Sequence, residues 1–165
     1  MFNPDAVEQD YRTLSWPDAF HMAPADSCAI GFAWPARGKL GSVYDLAARA
    51  GAELGQLIKA LRLHHPEIPI HLMAHSMGAR VALRAFHLLE AGDVERAILL
   101  FPAEYQVPTE AALSTDAGKA CEILTIASHE NTFYEFLFSW MKLARAQMGP
   151  AFGGYQPARS NHVTL

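Results

Sequence analysis

The sequence is poor in cysteine: only Cys28 and Cys121 occur among its 165 residues. Two cysteines cannot build the disulfide framework of a small secreted protein, and neither is paired with histidine at the spacing of a zinc site. An H-E-x-x-H motif is also absent. The sequence therefore predicts no metal site and no cofactor, and it favours a reducing, cytoplasmic location.

Long apolar runs and blocks of basic residues are absent as well. No uninterrupted apolar stretch approaches the roughly 18 residues of a membrane helix, and Asp5 stands where a signal peptide carries positive charge. Thirteen basic against 17 acidic residues give a formal net charge of −4, and no basic run suits nucleic acid or an anionic membrane. The sequence predicts neither a membrane span nor a nucleic-acid partner.

The chain does have enough apolar residues for one hydrophobic core. Hydrophobic residues make up 51% of the sequence and charged residues 18%, which is the composition of a globular protein rather than a disordered one. A chain of this length is one domain by ordinary size. We therefore expect residues 1–165 to form a single domain.

Apolar runs bounded by proline and glycine alternate with amphipathic stretches along the chain. The apolar runs predict strands at 28–34, 69–75, 97–101 and 122–128, with a further one beginning at 162. The amphipathic stretches predict helices at 42–63, at 77–90 and from Thr132 onward. This alternation predicts an α/β fold with a doubly wound, mostly parallel sheet and helices on both faces.

One segment carries a motif with chemical meaning. Residues 70–82 read I-H-L-M-A-H-S-M-G-A-R-V-A and contain A-x-S-x-G around Ser76, a variant of the G-x-S-x-G nucleophile elbow. In such a turn the serine has a strained backbone at the end of a strand, and small residues at Ala74 and Gly78 let the strand and helix approach. The amide of Met77 then points toward a developing oxyanion. The alternative is a serine that only caps the following helix.

The stretch from Phe32 to Ala85 resembles a bacterial group of α/β-hydrolases, esterase- or lipase-like proteins of unassigned substrate. It contains the Trp34-Pro35 strand end, an Arg/Gly-rich loop, a long helix and the Ala-His-Ser-Met-Gly turn. Supporting similarity extends over residues 28–145. The usual first strands, one of which ends in His-Gly, and the last strand and helix have no counterpart in this sequence. The resemblance therefore implies a hydrolase short at both ends: a fragment, a truncated gene product or a reduced descendant.

The resemblance also implies an order of serine, acid and histidine along the chain. Ser76 takes the place of the nucleophile, and Glu130 is the carboxylate just past the predicted strand at 122–128. In relatives an aspartate often stands nearer to the position of Asn131 or Thr132. His162 is the histidine that follows the acid loop, His129 is an alternative, and a catalytic histidine outside this chain is another.

Two functions follow from these residues. In the first, the chain is a serine hydrolase whose Ser76 attacks a small-molecule ester or acyl substrate, and water hydrolyses the resulting acyl-enzyme without a cofactor. In the second, the chain is a catalytically incomplete hydrolase-like domain that serves as a binding or interaction module. Exposed sheet edges would then be covered by self-association into a homo-oligomer.

Overall fold

The computed structural model describes residues 27–126 and 161–164. The chain divides into two compact units, Met1–Trp34 and Pro35–Leu165. The described helices of the second unit are α1 (Leu40–His64), α2 (Met77–Ala85), α3 (Gln106–Leu113) and α4 (Asp116–Ala120). Its described strands are β1 (His71–His75), β2 (Arg96–Leu100), β3 (Glu122–Ile126) and β4 (His162–Thr164).

In the first unit the described residues, 27–34, form no regular secondary structure. Cys28 is exposed, and 58% of the surface of Ile30 is accessible to solvent. The predicted buried strand at 28–34 is therefore wrong. An apolar run becomes a strand only where a neighbouring strand accepts and donates its backbone hydrogen bonds, and no described strand pairs with this segment.

The four described strands form one parallel sheet in the order β1-β2-β3-β4. His75 lies opposite Leu100, and Leu100 lies opposite Ile126, so the carboxyl ends of the first three strands meet at one edge. Parallel strands with helices between them confirm the predicted α/β class. The strands lie side by side in chain order. A doubly wound sheet contains such a half and a second half in which the order reverses, and no such reversal is present among the described strands.

β2 and β3 form the buried centre of this sheet, and every second residue along each strand is buried. Ala97, Leu99 and Ile123 are fully buried and Thr125 nearly so, while the alternate positions are half-buried or exposed. β1 is half-buried along its middle and exposed at both ends. The buried face of β2 and β3 is the rigid base on which the residues after each strand are placed.

α1 and α2 pack closely side by side. A Cβ at Gly51 would stand 2.4 Å from the Cβ of Arg84, so only glycine permits this approach of the two backbones. Further along, a Cβ at Gly55 would lie 3.1 Å from the Cβ of Leu88. The contacts advance in the same direction along both segments, so the start of α1 lies beside the start of α2.

Most of the predicted elements are present with changed ends. The predicted helices at 42–63 and 77–90 are confirmed as α1 and α2, although α2 ends at Ala85. The short helices α3 and α4 between β2 and β3 were not predicted, and the predicted helix from Thr132 lies outside the described residues. No helix in the described part of the chain is long and apolar enough to cross a bilayer.

Candidate active site

Ser76 lies between β1 and α2 with an unusual backbone. Its φ is 53° and its ψ is −122°, a region in which a residue with a side chain is strained by about 1–3 kcal/mol. Three backbone hydrogen bonds hold it there. The Ser76 amide donates to the carbonyl of Leu100 at 2.9 Å, and the Ser76 carbonyl accepts from the amides of Ala79 and Ala103, each at 3.0 Å.

The side chain of Ser76 is not used to cap α2. Ser76 occupies the N-cap position, but no side-chain cap hydrogen bond is formed there, although capping is the usual reason for a serine at that place. The predicted closeness of strand and helix is moderate: a Cβ at Gly78 would lie 3.9 Å from that of Ala74. This is ordinary van der Waals contact, so alanine would fit at position 78.

The residue after β2 has an unusual backbone as well. Phe101 has a φ of 47°, and its amide donates to the carbonyl of Ile126 at 2.8 Å. The ring of Phe101 meets the imidazole of His75 edge to face, with 6.0 Å between ring centroids. Burial lowers the pKa of His75, so its imidazole is neutral at pH 7. Strained residues therefore follow both β1 and β2 at the same edge of the sheet.

A buried ion pair lies beside this edge. Arg80, on the first turn of α2, places its Nη1 2.5 Å from the Oε2 of Glu104, which follows β2. The Arg80 Nε donates to the carbonyl of Tyr44 at 2.8 Å, and the guanidinium stacks 3.4 Å from the centroid of the Tyr44 ring. Arg80 is 2% exposed and Glu104 1% exposed, so water does not screen the pair.

Glu104 is fully engaged by its neighbours. Its Oε1 accepts from the hydroxyl of Tyr44 at 2.5 Å and from the amide of Tyr105 at 2.8 Å. Burial and the adjacent carboxylate raise the pKa of Tyr44, which keeps its hydroxyl protonated as the donor. The two tyrosine rings meet edge to face at 5.6 Å. With both oxygens occupied, Glu104 is not free to orient a histidine.

One open surface cleft among the described residues is not lined by Ser76. That open cleft lies among residues that follow α2 and residues at the start of α4: Phe86, His87, Leu89, Glu90, Ala91, Thr115 and Asp116. Across residues 27–126 and 161–164, no three His, Cys, Asp or Glu side chains group as the ligands of a metal ion would.

Residues 12–140 match the family described as alpha/beta hydrolase of unknown function (DUF900). The chain belongs to this family. No curated protein and no solved structure matches it. Membership confirms the resemblance to α/β-hydrolases, and the parallel sheet agrees with it. The matched stretch of this α/β-hydrolase includes Ser76 and Glu130 and ends before His162.

The predicted site residues are only partly brought together. Ser76 and Met77 lie at the carboxyl edge of the sheet, where Met77 begins α2 and packs against the two buried tyrosines. The backbone of His162 lies opposite Ile123, near the amino end of β3 and about 10 Å along the strand from that edge. Glu130, like the alternative His129, lies outside the described residues.

The sequence analysis missed Arg80, Glu104 and Tyr44 in this α/β-hydrolase. A signal was present: Arg80 stands between apolar residues on α2, and Glu104 is the first charged residue after the apolar run 97–103. Single charges of opposite sign in two apolar segments indicate a buried pair, because a lone buried charge is rarely tolerated.

Proposed function

We propose that this α/β-hydrolase is a serine hydrolase that cleaves carboxylic esters through an acyl-enzyme on Ser76. The observation that carries the proposal is the backbone of Ser76, which has a φ of 53° at a strand-to-helix turn. The side chain of Ser76 does not cap the helix that follows. Strained backbone of this kind is concentrated at functional sites. A strained serine at the carboxyl end of a parallel strand is what a nucleophile elbow requires.

The reaction would proceed in two acyl-transfer steps. The Ser76 Oγ attacks the ester carbonyl while a histidine takes its proton, and the leaving alcohol receives that proton as the tetrahedral intermediate collapses. Water then attacks the acyl-enzyme by the same route and releases the acid. Met77 supplies the oxyanion donor, because it is the first residue of α2 and the helix offers its amide no acceptor.

The acid and base complete the proposal. Glu130 is the acid, as the resemblance implies. For the base the strand register counts against His162, whose backbone is paired with Ile123 away from the carboxyl edge. His129 follows the carboxyl end of β3 by three residues in sequence, and we therefore favour His129 over His162.

Labelling with a fluorophosphonate tests the nucleophile, because the reagent phosphonylates an activated serine with loss of fluoride. We expect intact-mass analysis to show one label on the wild-type chain and none on Ser76→Ala. Ser42→Ala is the matched control: Ser42 is an exposed serine on the first turn of α1, and this variant should label at the wild-type rate.

The same assay distinguishes the histidines and the competing function. We expect His129→Ala to slow labelling by about 100-fold or more and His162→Ala to leave it unchanged. Hydrolysis of p-nitrophenyl esters of increasing acyl length would then define the substrate class. A folded wild-type chain that does not label would overturn the proposal and favour the catalytically incomplete binding module.

A further inference from the structure

The buried pair of Arg80 and Glu104 is connected to Ser76 through the residues that precede its two members. Two amides donate to the Ser76 carbonyl, those of Ala79 and Ala103, each at 3.0 Å. Ala79 directly precedes Arg80, and Ala103 directly precedes Glu104. The two hydrogen bonds that fix the turn on its carbonyl side therefore come from residues joined covalently to the two ends of the ion pair.

Stability alone is a poor reason for this pair. Replacing a buried ion pair by apolar residues of similar volume is often neutral or stabilising, because the charges lose their hydration. What the pair adds is a fixed relative position of the segments that carry it. Arg80 and Glu104 make hydrogen bonds to Tyr44 and to each other at 2.5–2.8 Å, and such bonds fix relative positions more narrowly than apolar contacts that can slide.

The Ser76 turn needs such support. A backbone at φ 53° persists only where the surroundings over-determine it. The amide of Ser76 is held by β2, while its carbonyl is held from α2 and from the loop after β2. A shift of Arg80 relative to Glu104 would move Ala79 and Ala103 apart and release the carbonyl.

We propose that Arg80, Glu104 and Tyr44 form a positioning unit that holds the Ser76 turn in its reactive backbone conformation. None of the three is a catalytic residue, since each acts through Ala79 or Ala103. The kinetic consequence rests on the proposed serine hydrolase function. The structural consequence, a local loosening of the turn when the pair is removed, does not.

The test replaces the buried pair by apolar residues of similar size, Arg80→Met with Glu104→Leu. The matched control is Arg96→Met with Glu122→Leu, which removes the exposed ion pair at the other end of β2 and β3, where the charged atoms are 2.7 Å apart. Amide hydrogen exchange is read at Ala103 relative to Leu99 in the same sample, so that lower global stability cannot by itself raise the ratio. Fluorophosphonate labelling of Ser76 is read in parallel.

In the buried-pair variant we expect exchange at Ala103, relative to Leu99, to rise about tenfold or more. Labelling should slow by up to about 100-fold, because a displacement of about 1 Å at a reacting group can reduce the rate by that factor. The exposed-pair control should change neither readout beyond about twofold. If the double variant does not fold, Glu104→Gln keeps the shape and removes the charge, and it should move both readouts in the same direction by less.

The outcomes separate the two proposals. A folded buried-pair variant with unchanged relative exchange at Ala103 and unchanged labelling overturns the positioning unit. Loss of labelling without any change in exchange also overturns it, because the pair would then act on the reaction and not on the turn. If the wild-type chain does not label, the hydrolase proposal fails, and the exchange ratio alone decides whether the pair positions the turn.

Discussion

The two edges of the parallel sheet each carry an arginine–glutamate pair, and the two pairs differ in almost everything except distance. At the carboxyl edge Arg80 and Glu104 are 2.5 Å apart, with side chains 3% and 1% exposed. At the amino edge Arg96 and Glu122 begin β2 and β3, are 2.7 Å apart and are 47% and 55% exposed. Similar geometry therefore has different consequences, because water screens the second pair and not the first.

The backbone shows the same contrast. At the carboxyl edge the positive φ angles belong to Ser76 and Phe101, both with side chains, whereas in the loop before β2 a φ of 89° falls on Gly92. At the amino edge, side chains donate hydrogen bonds to backbone carbonyl oxygens. Arg62 donates to those of Pro66, Ile68, Gly92 and Asp93. The amide nitrogen of Asn161 lies 2.7–3.0 Å from those of Gly118, Lys119 and Cys121.

This difference indicates which edge has a function beyond folding. Loops that only connect elements can use glycine and exposed charges, and the amino edge does so. Strained non-glycine residues lower stability, and a buried charge pair is a weak source of it. Their presence therefore indicates a role other than stability. In this α/β-hydrolase both features lie at the carboxyl edge, where Ser76 follows β1.

The largest expected difference between the edges is in the response to losing one arginine. Arg80→Met leaves the Glu104 carboxylate buried without its cation, which should lower the free energy of unfolding by about 3–5 kcal/mol. Arg96→Met removes a screened pair and should lower it by about 0.2–1 kcal/mol. Urea denaturation of the two variants beside the wild type measures both. Equal losses would show that the burial of Arg80 has no energetic consequence.

A smaller change in stability, of opposite sign at the two edges, is expected when Ser76 is replaced by glycine and when Gly92 is replaced by alanine. Ser76→Gly relieves about 1–3 kcal/mol of strain but gives the unfolded chain more freedom, so a net gain near 1 kcal/mol is expected. Gly92→Ala should instead lose about 1–2 kcal/mol. No atom would lie within 4 Å of the new Cβ at position 92, so the loss would come from φ alone.

Thermal unfolding measures this pair of variants. We expect the melting temperature of Ser76→Gly to rise by several degrees while its fluorophosphonate labelling disappears, and that of Gly92→Ala to fall. A Ser76→Gly variant less stable than the wild type would mean that the turn stores no strain and that the serine stabilises it.

The sequence predicted those parts of the fold that depend on local pattern. Strands β1 to β3 coincide with apolar runs, and the A-x-S-x-G motif marks Ser76 correctly as the turn between β1 and α2. The run from Cys28 to Trp34 has the same pattern but no described strand beside it. Local pattern cannot supply that missing partner, because strand pairing is decided by tertiary structure.

The sequence hinted that Arg80 and Glu104 are buried, but how they meet Tyr44 and support Ser76 could not be predicted, for a related reason. Arg80 and Glu104 are 24 residues apart in sequence, and they meet only because β1 and β2 are adjacent and in register at their carboxyl ends. Tyr44 reaches them from the start of α1, which the close approach at Gly51 places beside α2. Each contact depends on packing between elements, for which a single sequence carries little direct signal.

The smallest expected effect concerns pH, and it compares His75 at the end of β1 with His87 after α2. Burial lowers the pKa of both imidazoles, and Arg84 lowers that of His87 further. The unfolded chain, with a histidine pKa near 6.5, then binds more protons than the folded chain below that pH. The free energy of unfolding should therefore fall as pH decreases from about 6.5 and level off below the folded-state pKa values.

Urea denaturation between pH 7.5 and 5, for the wild type, His75→Gln and His87→Gln, measures these contributions. Each variant should show a shallower fall than the wild type, since it lacks one imidazole that the folded state keeps neutral. A variant with an unchanged slope would show that its histidine titrates alike in the folded and unfolded chain. A slope that His75→Gln alone reduces would place the pH sensitivity at the carboxyl edge, beside Phe101 and the Ser76 turn.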